Sequence, residues 1–437
     1  MSNRDRAPLP LSRFQKFTFT MGNLGWSLAS YGVANLLNYF YVPNAEGGAL
    51  MFPLYISTEA IFLGLTLLGL IASGGRLFDA VTDPIIAGLS DRSRRRMGKR
   101  RWFMAVSAAP LGLFSLLVFV PPGGAGQVLN VVALAFTLFV FYLLFTMYMV
   151  PISAWVSELG HSSAERLDMA TLSSIGWALG FGIGNAVYAL QSLFEGMGAS
   201  SVGAFQAAIT VFAVIATVAM YLPVLFIDEP RHAKAVTSLV PPAEAARRTL
   251  KDGNFRVFLW SQLAYWIALT FMQVGIAYFV VTLLNIDKSY ASLGMTLLFA
   301  ISFVFYVPIN QIAKRLGKKP LLVFAFGALT FVYLVTTFLG TYPIPPVWQV
   351  VAIAGIGALP IGIFTIIPFA MIADMAEADG RRHGDFKAGM YFAMRGLVMK
   401  AGIALANLLF PTIVLWGGTV VNATGVRAAA VFALAVS

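Results

Sequence analysis

The sequence contains no cysteine among its 437 residues, which excludes disulfide bonds, thiol nucleophiles and cysteine metal ligands. Charged residues are also scarce, at 11% of the chain, whereas hydrophobic residues make up 59%. The mean hydropathy is +0.79. Soluble globular domains carry about 25% charged residues. The composition therefore predicts a membrane protein with many spanning segments.

Histidine is almost as rare, since only His161, His232 and His383 are present and all three lie in predicted loops. A histidine proton relay inside a membrane is therefore excluded, and any proton coupling would have to use carboxylates. The sequence also has no metal-ligand cluster, no serine and histidine arrangement inside the apolar segments and no glycine-rich nucleotide loop. We therefore expect neither an enzyme nor an ATP-driven pump, and no cofactor.

Long apolar segments alternate with polar ones along the chain. Eleven of them approach or exceed the roughly 20 residues that a helix needs to cross a bilayer; they are 17–41, 58–90, 103–122, 127–156, 169–192, 204–227, 255–284, 291–313, 320–340, 347–372 and 386–416. A twelfth begins near 424, so we expect an incomplete last helix. The polar segment 229–254 predicts a linker between an N-terminal six-helix bundle, 1–228, and a C-terminal bundle, 255–437.

The positive charge, +11 in total, is unevenly placed, because 25 of the 30 Lys and Arg lie in alternate loops. The positive-inside rule then predicts a cytoplasmic N-terminus in a plasma (inner) membrane. The excess of Lys and Arg is explained by this topology and by contact with anionic lipid headgroups, so it requires no nucleic-acid partner. We expect a monomer that binds a small molecule.

Two basic turns suggest an internal repeat of the two halves. GLSDR and MGKRRW follow the second apolar segment, and AKRLGKKP follows the eighth, which places Gly98 and Gly317 at corresponding positions. A parallel six-plus-six repeat produces this pattern. The alternative is that cytoplasmic turns collect Gly, Lys and Arg independently of any repeat.

The second apolar segment carries a charged stripe of Arg76, Asp79 and Asp83 on one helix face. A charge near the bilayer centre costs about 2.5 to 3.5 kcal/mol on insertion scales, so such acids are usually functional. Two carboxylates one turn apart can hold sodium or share a proton. Pro84 leaves the Ala80 carbonyl without its helical donor and able to act as a further ligand. Arg76 could alternatively serve only to neutralise Asp79.

These residues lie in motifs that resemble a known family. The run RLFDAVTDPIIAGLSDR with RMGKRR, then VPISAWVSEL, DMAE and YFAMRGLVMKAGIAL, resembles the glycoside-pentoside-hexuronide (melibiose-permease-like) cation symporters of the major facilitator superfamily. The resemblance spans nearly the whole chain. It implies an all-α integral membrane protein with the major facilitator fold, built from two six-helix bundles.

The resemblance also implies roles for individual residues. Asp79 and Asp83 match the paired acids that bind the coupling cation, sodium or a proton, and Thr146 matches a hydroxyl ligand. Thr82 stands where relatives carry an amide side chain and is a further candidate ligand. Lys400 falls on a lysine between the cation and substrate sites, and we expect it to pair with Asp79 or Asp83 when no cation is bound.

The substrate side departs from the family pattern. The two sugar-binding aspartates would fall near Ser27 and Met149, so both are missing, although Trp26 lies beside the first position. The cavity would thus be more apolar than that of a galactoside carrier. Lys400 and Arg395 would favour an anionic group on the substrate. Arg395 could equally be an interhelical structural residue.

A second set of charges lies at the predicted inner ends of the helices. Glu158, Arg166 and Asp168 cluster after the fourth segment, and Asp374, Glu377 and Asp379 follow the tenth. Either an ion-pair gate or a solvated loop would explain them.

Three functions fit these features to different degrees. The leading prediction is a cation-coupled symporter of a sugar, glycoside or sugar acid that works by alternating access. The alternative is cation-coupled transport of an amphiphilic anion such as a lysophospholipid. A non-transporting membrane receptor is disfavoured, because Asp79, Asp83 and Lys400 would have little purpose inside lipid.

Overall fold

The computed structural model describes residues 8–437 apart from 42–44, 47–48, 51, 58–59, 63–64, 234–239, 287–288 and 415–421. Helices dominate the described residues. The strands found there form two short antiparallel pairs, β1 (Ala45–Glu46) with β2 (Ala49–Leu50) and β3 (Ala60–Phe62) with β4 (Leu65–Thr66). Each strand holds two or three residues, so the fold class is all-α.

The helices of the first half are α1 (Arg13–Tyr31), α2 (Leu37–Tyr41), α3 (Leu67–Arg92), α4 (Lys99–Leu117), α5 (Val128–Leu159), α6 (Ser163–Gly184), α7 (Val187–Gly196), α8 (Ser201–Phe226), α9 (Glu229–His232) and α10 (Pro242–Lys251). Those of the second half are α11 (Gly253–Tyr278), α12 (Ser289–Val304), α13 (Tyr306–Leu316), α14 (Lys318–Thr337), α15 (Pro346–His383), α16 (Ala388–Val414) and α17 (Ala423–Val436). Single π-helical turns, Gly32–Leu36 and Phe279–Leu283, extend α1 and α11.

Five of these helices are long and apolar enough to cross a membrane within the described residues, and the bent pair α12 and α13 makes a sixth. The five are Val128–Leu159, Ser201–Phe226, Gly253–Ile276, Lys318–Thr337 and Pro346–His383. α3 is outside this set and carries three charged residues in its middle. It begins at Leu67 rather than near 58 as predicted, because Ala60–Phe62 and Leu65–Thr66 form the β3 and β4 pair.

The chain divides into two compact units. The first comprises residues 1–161, 172–245 and 376–393, and the second comprises 162–171, 246–375 and 394–437. The helices α6, α10, α15 and α16 therefore each contribute residues to both units.

Within the first unit, a row of glycines on α6 lets α1 approach closely. A Cβ at Gly176 would lie 2.3 Å from the Thr20 carbonyl oxygen, and one at Gly180 would lie 2.4 Å from that of Leu24. Four-residue spacing of small residues is a common means of packing helices in membranes, where dispersion contacts replace the hydrophobic effect. The α1 and α6 backbones therefore touch along this row.

The repeated basic turns have the same backbone geometry in both units. Gly98 (φ 115°, ψ 151°) precedes α4, and Gly317 (φ 88°, ψ 162°) precedes α14. A positive φ of this kind is readily adopted only by glycine. The correspondence between Gly98 and Gly317 in the sequence therefore extends to the backbone conformation.

Candidate cation and substrate sites

Asp79 and Asp83 lie one turn apart on α3 and are buried, with 5% and 0% of their surfaces exposed. The opposite face of the same helix is an exposed apolar stripe of Leu77, Val81, Ile85 and Leu89. Residues two positions apart point to nearly opposite sides of a helix. The stripe thus suits contact with lipid, whereas the two carboxylates are directed into the protein.

Thr146 on α5 brings the two carboxylates to one point. Its Oγ1 lies 2.9 Å from Oδ1 of Asp79 and 3.0 Å from Oδ1 of Asp83. A hydroxyl has one proton, so it donates to one carboxylate at a time and leaves the other oxygen in reach of a cation or a second proton. Thr82 is also buried, but its Oγ1 donates to the Asp79 carbonyl at 3.1 Å.

The donor set at this point consists of hard oxygen atoms. Two carboxylates and one hydroxyl converge, and Pro84 lies in the same turn of α3 as Asp83, which leaves the Ala80 carbonyl without its helical N–H. Oxygen ligands of this type suit a small hard cation. Two adjacent carboxylates also suit a shared proton, because like charges so close resist simultaneous ionisation.

Two basic side chains, Arg76 and Lys400, are predicted to interact with the α3 carboxylates, and they differ in their surroundings. Arg76 precedes Asp79 on α3 and is exposed, whereas Lys400 on α16 is half-buried in the second unit. The pairing of Lys400 with an α3 carboxylate stays a prediction.

Ser27 and Trp26 are predicted to lie near the substrate in the first unit. Their polar atoms form hydrogen bonds within the protein. Ser27 Oγ donates to the Trp177 carbonyl at 2.7 Å, so it links α1 to α6. The Trp26 indole N–H donates to Asn23 Oδ1 at 3.2 Å. A ligand would meet the half-buried ring of Trp26 rather than its N–H.

Met149 is half-buried, and its sulfur accepts from Ser153 Oγ at 3.6 Å. The predicted apolar character of the substrate cavity stays a prediction.

Arg395 on α16 is buried in the second unit, with 8% of its surface exposed. Its Nε donates to Gln262 Oε1 on α11 at 3.3 Å. Its guanidinium carbon lies 4.5 Å from the ring centroid of Phe369 on α15, a cation–π contact. Three helices therefore fix the position of this side chain.

A buried ion cluster, defined by Asp91, Lys99, Arg100, Glu158 and Glu229, lies where α3 ends and α4 begins. Arg100 is 0% exposed and binds both Asp91 and Glu158, the latter at 2.8 Å, while Lys99 Nζ lies 2.9 Å from Glu158. Burial would lower the pKa of Arg100, but the two carboxylates raise it overall. Arg100 therefore stays charged, and the carboxylates of Asp91 and Glu158 compensate its charge.

Glu229 closes the other side of this cluster by capping the N-terminus of α4. Its carboxylate accepts from the backbone N–H groups of Arg100 and Arg101, the latter at 2.7 Å. Burial and the charge of Glu158 raise the pKa of Glu229, and these two backbone donors act in the opposite direction.

Asp91 also reaches the start of α16, in the same unit. Its carboxylate accepts from the backbone N–H groups of Gly389 and Met390, both at 3.3 Å. Unpaired N–H groups at a helix N-terminus favour negative charge. A side chain at position 389 would collide with Arg100, because a Cβ there would lie 2.9 Å from Nη1.

The second unit has a matching arrangement at the repeated turn. Lys318 Nζ lies 2.5 Å from Asp374 on α15, and Arg166 Nε lies 2.6 Å from the same carboxylate. Lys99 with Glu158 in the first unit and Lys318 with Asp374 in the second are thus equivalent pairs. Asp168 is held by Lys314 at 2.5 Å. These charges therefore form ion pairs, and a gating role for them stays a prediction.

The sequence reasoning did not single out Asp91, Arg100 or Glu229. Arg100 stands among seven basic residues between 92 and 101, and nothing in their order distinguishes Lys99 and Arg100, which are buried, from the others. A signal was available for Asp91, because it follows the apolar turn of α3 and precedes the first arginine of the run.

Comparison with known proteins shows which family the chain resembles over most of its length. A family model described as MFS/sugar transport protein matches residues 18–436. The isoprimeverose transporter of Lactiplantibacillus pentosus is 21% identical over 412 residues, which are 93% of this chain and 81% of that protein. The putative glycoside/cation symporter YagG of Escherichia coli is 30% identical over 112 residues, 26% of this chain and 24% of its own.

A solved structure supports the fold. A bacterial homologue of the iron transporter ferroportin, in an outward-facing state, matches with a TM-score of 0.71 over 97% of this chain and 96% of its own. The sequences are 12% identical, so this likeness concerns the fold alone. The predicted major facilitator fold is confirmed.

Proposed function

Because the chain belongs to the MFS/sugar transport family, we propose that it is a symporter that couples sodium or proton entry to uptake of a sugar, glycoside or sugar acid. The observation that carries the proposal is the convergence of Asp79, Asp83 and Thr146, three oxygen-bearing side chains buried in the first unit. Buried acids on a lipid-facing helix are costly and are usually retained for ion translocation. The chain is similar to proteins named as an isoprimeverose transporter and a putative glycoside/cation symporter, and this similarity supports a sugar or glycoside as the substrate.

The proposed mechanism has three parts. The cation binds between the two α3 carboxylates and removes their mutual repulsion. Lys400 connects this site to the substrate, so that occupation of one site raises the affinity of the other reciprocally. The two bundles then alternate between access from either side of the membrane. We place the protein in the plasma membrane with its N-terminus in the cytoplasm, as the distribution of Lys and Arg favours.

Thermal stability of the purified protein tests this proposal. Ligands that bind the folded state raise its apparent melting temperature by mass action. We expect a glycoside or sugar acid to raise that temperature, and sodium or a lower pH to increase the effect. Asp83→Asn should abolish the cation dependence, while Asp252→Asn, at the N-cap of α11, should retain it. Cation dependence that is equal in both variants and the wild type would contradict the proposal.

A further inference from the structure

We propose that Arg395, Gln262 and Trp266 form an anion-binding subsite in the second unit, which receives the carboxylate of an acidic sugar. The inference rests on the proposed function and specifies its substrate class. It is carried by three polar groups that lie where α11 meets α16 and that can all donate hydrogen bonds.

The charge of Arg395 is poorly compensated. Within the described part of the chain, its hydrogen bond is the one from Nε to the neutral Gln262, and no carboxylate forms an ion pair with it. Every other deeply buried arginine or lysine described above, such as Arg100, binds an acid. A buried charge without a compensating partner is strongly destabilising. Arg395 therefore has the electrostatic environment of a residue whose partner is a ligand.

Gln262 supplies a second donor. Arginine can only donate, so the Gln262 atom that faces Nε must be its oxygen, and the amide NH₂ is directed elsewhere. That nitrogen is buried and has no hydrogen-bond partner among the described residues. A buried donor left unpaired destabilises the protein, so this amide is suited to receive an acceptor from a ligand.

Trp266 supplies a third donor one turn further along the same face of α11. Its indole N–H is likewise buried without a partner in the described residues. A Cβ added at Gly402 on α16 would lie 2.9 Å from the Cβ of Trp266, so the two helices are in close contact beside the indole. Gln262 and Trp266 thus lie on the face of α11 that packs on α16.

The chemistry of the three groups selects the ligand. The groups available to a ligand on Arg395, Gln262 and Trp266 are all N–H donors, and the guanidinium of Arg395 is also positively charged. A neutral sugar hydroxyl presents a donor as well as acceptors, whereas a carboxylate presents acceptors alone and pairs with a guanidinium through two parallel bonds. Phe369 covers one face of the guanidinium, which leaves its edge for such a pair.

A purely structural role predicts a different environment. An arginine that only joins helices would bind backbone carbonyls or acids, as Arg427 does when it donates to the carbonyls of Thr337 and Leu339. Arg395 makes neither type of bond in the described residues.

Binding measurements with matched sugar pairs test the proposal. Methyl glucoside and methyl galactoside are each compared with the corresponding methyl uronide, in saturating sodium, by isothermal titration of the purified full chain. We expect each uronide to bind about 10- to 100-fold more tightly than the matching neutral glycoside. This is the gain in affinity that corresponds to a hydrogen bond with a charged group. Arg395→Gln should reduce this ratio to about 1, whereas Arg315→Gln, which removes an exposed charge, should leave it unchanged.

Gln262→Glu provides a second test that remains informative if the Arg395→Gln variant fails to fold. The new carboxylate would pair with Arg395 inside the protein, so the ligand-free protein should be at least as stable as the wild type. The same variant should lose the preference for the uronide, because the internal acid competes for the guanidinium. A structural Arg395 would give the gain in stability without the loss of preference, and that result would overturn the proposal.

Other outcomes separate the two proposals. If neutral glycosides bind as tightly as uronides in the wild type, the anionic subsite is wrong while the proposed symporter stands. If no sugar binds and sodium has no effect, the proposed function itself fails. Lysophosphatidylglycerol is included as a second anionic probe, and Arg395-dependent binding of that lipid alone would assign the subsite to an anionic amphiphile and overturn the assignment to a sugar acid.

Discussion

The hydroxyl oxygen of Thr146 lies 3.0 Å from Oδ1 of Asp83, although the two residues are 63 positions apart in the chain. The contact joins α5 to α3 at the depth of the two buried acids. It fixes one carboxylate against the other, because the same hydroxyl also reaches Asp79. Thr146 is therefore the residue on which the geometry of the proposed cation site depends.

Replacement of this hydroxyl should weaken cation binding. Thr146→Val keeps the shape of the side chain but removes the oxygen, and the loss of a hydrogen bond to a charged group corresponds to about a 10- to 100-fold lower affinity. Thr146→Ser keeps the oxygen and should bind the cation nearly as well as the wild type. The measurement is the sodium or proton concentration that gives half-maximal thermal stabilisation. Equal values for the Val and Ser variants would exclude Thr146 as a ligand.

Removal of Arg100 should strongly destabilise the protein. Arg100→Ala leaves Asp91 and Glu158 buried without their partner, and breaking a buried pair in this way costs about 3 to 5 kcal/mol. The apparent melting temperature of the purified protein should fall by roughly 5 °C or more. Arg96→Ala in the same basic run is the control, because Arg96 is exposed and surface changes stay within about 0.5 kcal/mol. Similar effects of the two substitutions would refute the buried ion cluster.

The contact between α1 and α6 can be tested with two glycines of α6. Gly180→Ala would place a methyl group 2.4 Å from the Leu24 carbonyl oxygen, so the helices must separate, at about 1 to 3 kcal/mol. Gly182→Ala meets no atom within 4 Å and should stabilise by about 0.4 to 1 kcal/mol through the unfolded chain. Thermal unfolding of the two variants should therefore shift in opposite directions. A shift in the same direction would show that the glycine row does not control helix spacing.

Much of the architecture could be predicted from the sequence, because apolar length and the placement of Lys and Arg are strong signals. The family, the fold and the similarity of the Gly98 and Gly317 turns were all predictable in this way. The start of α3 was not, since the residues before Leu67 are as apolar as those after it and composition alone does not separate a short strand pair from a helix.

The candidate site was predictable only in part. The spacing of Asp79 and Asp83 shows that they share a helix face, but the proximity of Thr146 depends on how α3 and α5 pack. The role of Ser27 in joining α1 to α6 has no sequence signature, because a serine hydroxyl that bonds a distant carbonyl looks like any other serine. Likewise, the sequence places Arg395 in an apolar helix but does not reveal that its neighbour is a neutral glutamine.

Transport by the purified protein in proteoliposomes tests the central claim most directly. Uptake of a radiolabelled glycoside or uronide would be driven by an inward sodium or proton gradient, in the wild type, Asp79→Asn and Asp83→Asn. The proposed site predicts concentrative uptake by the wild type and its loss in both variants, because each removes one of the two carboxylates that hold the cation. Concentrative uptake that persists in either variant would contradict the assignment of Asp79 and Asp83 as the coupling site.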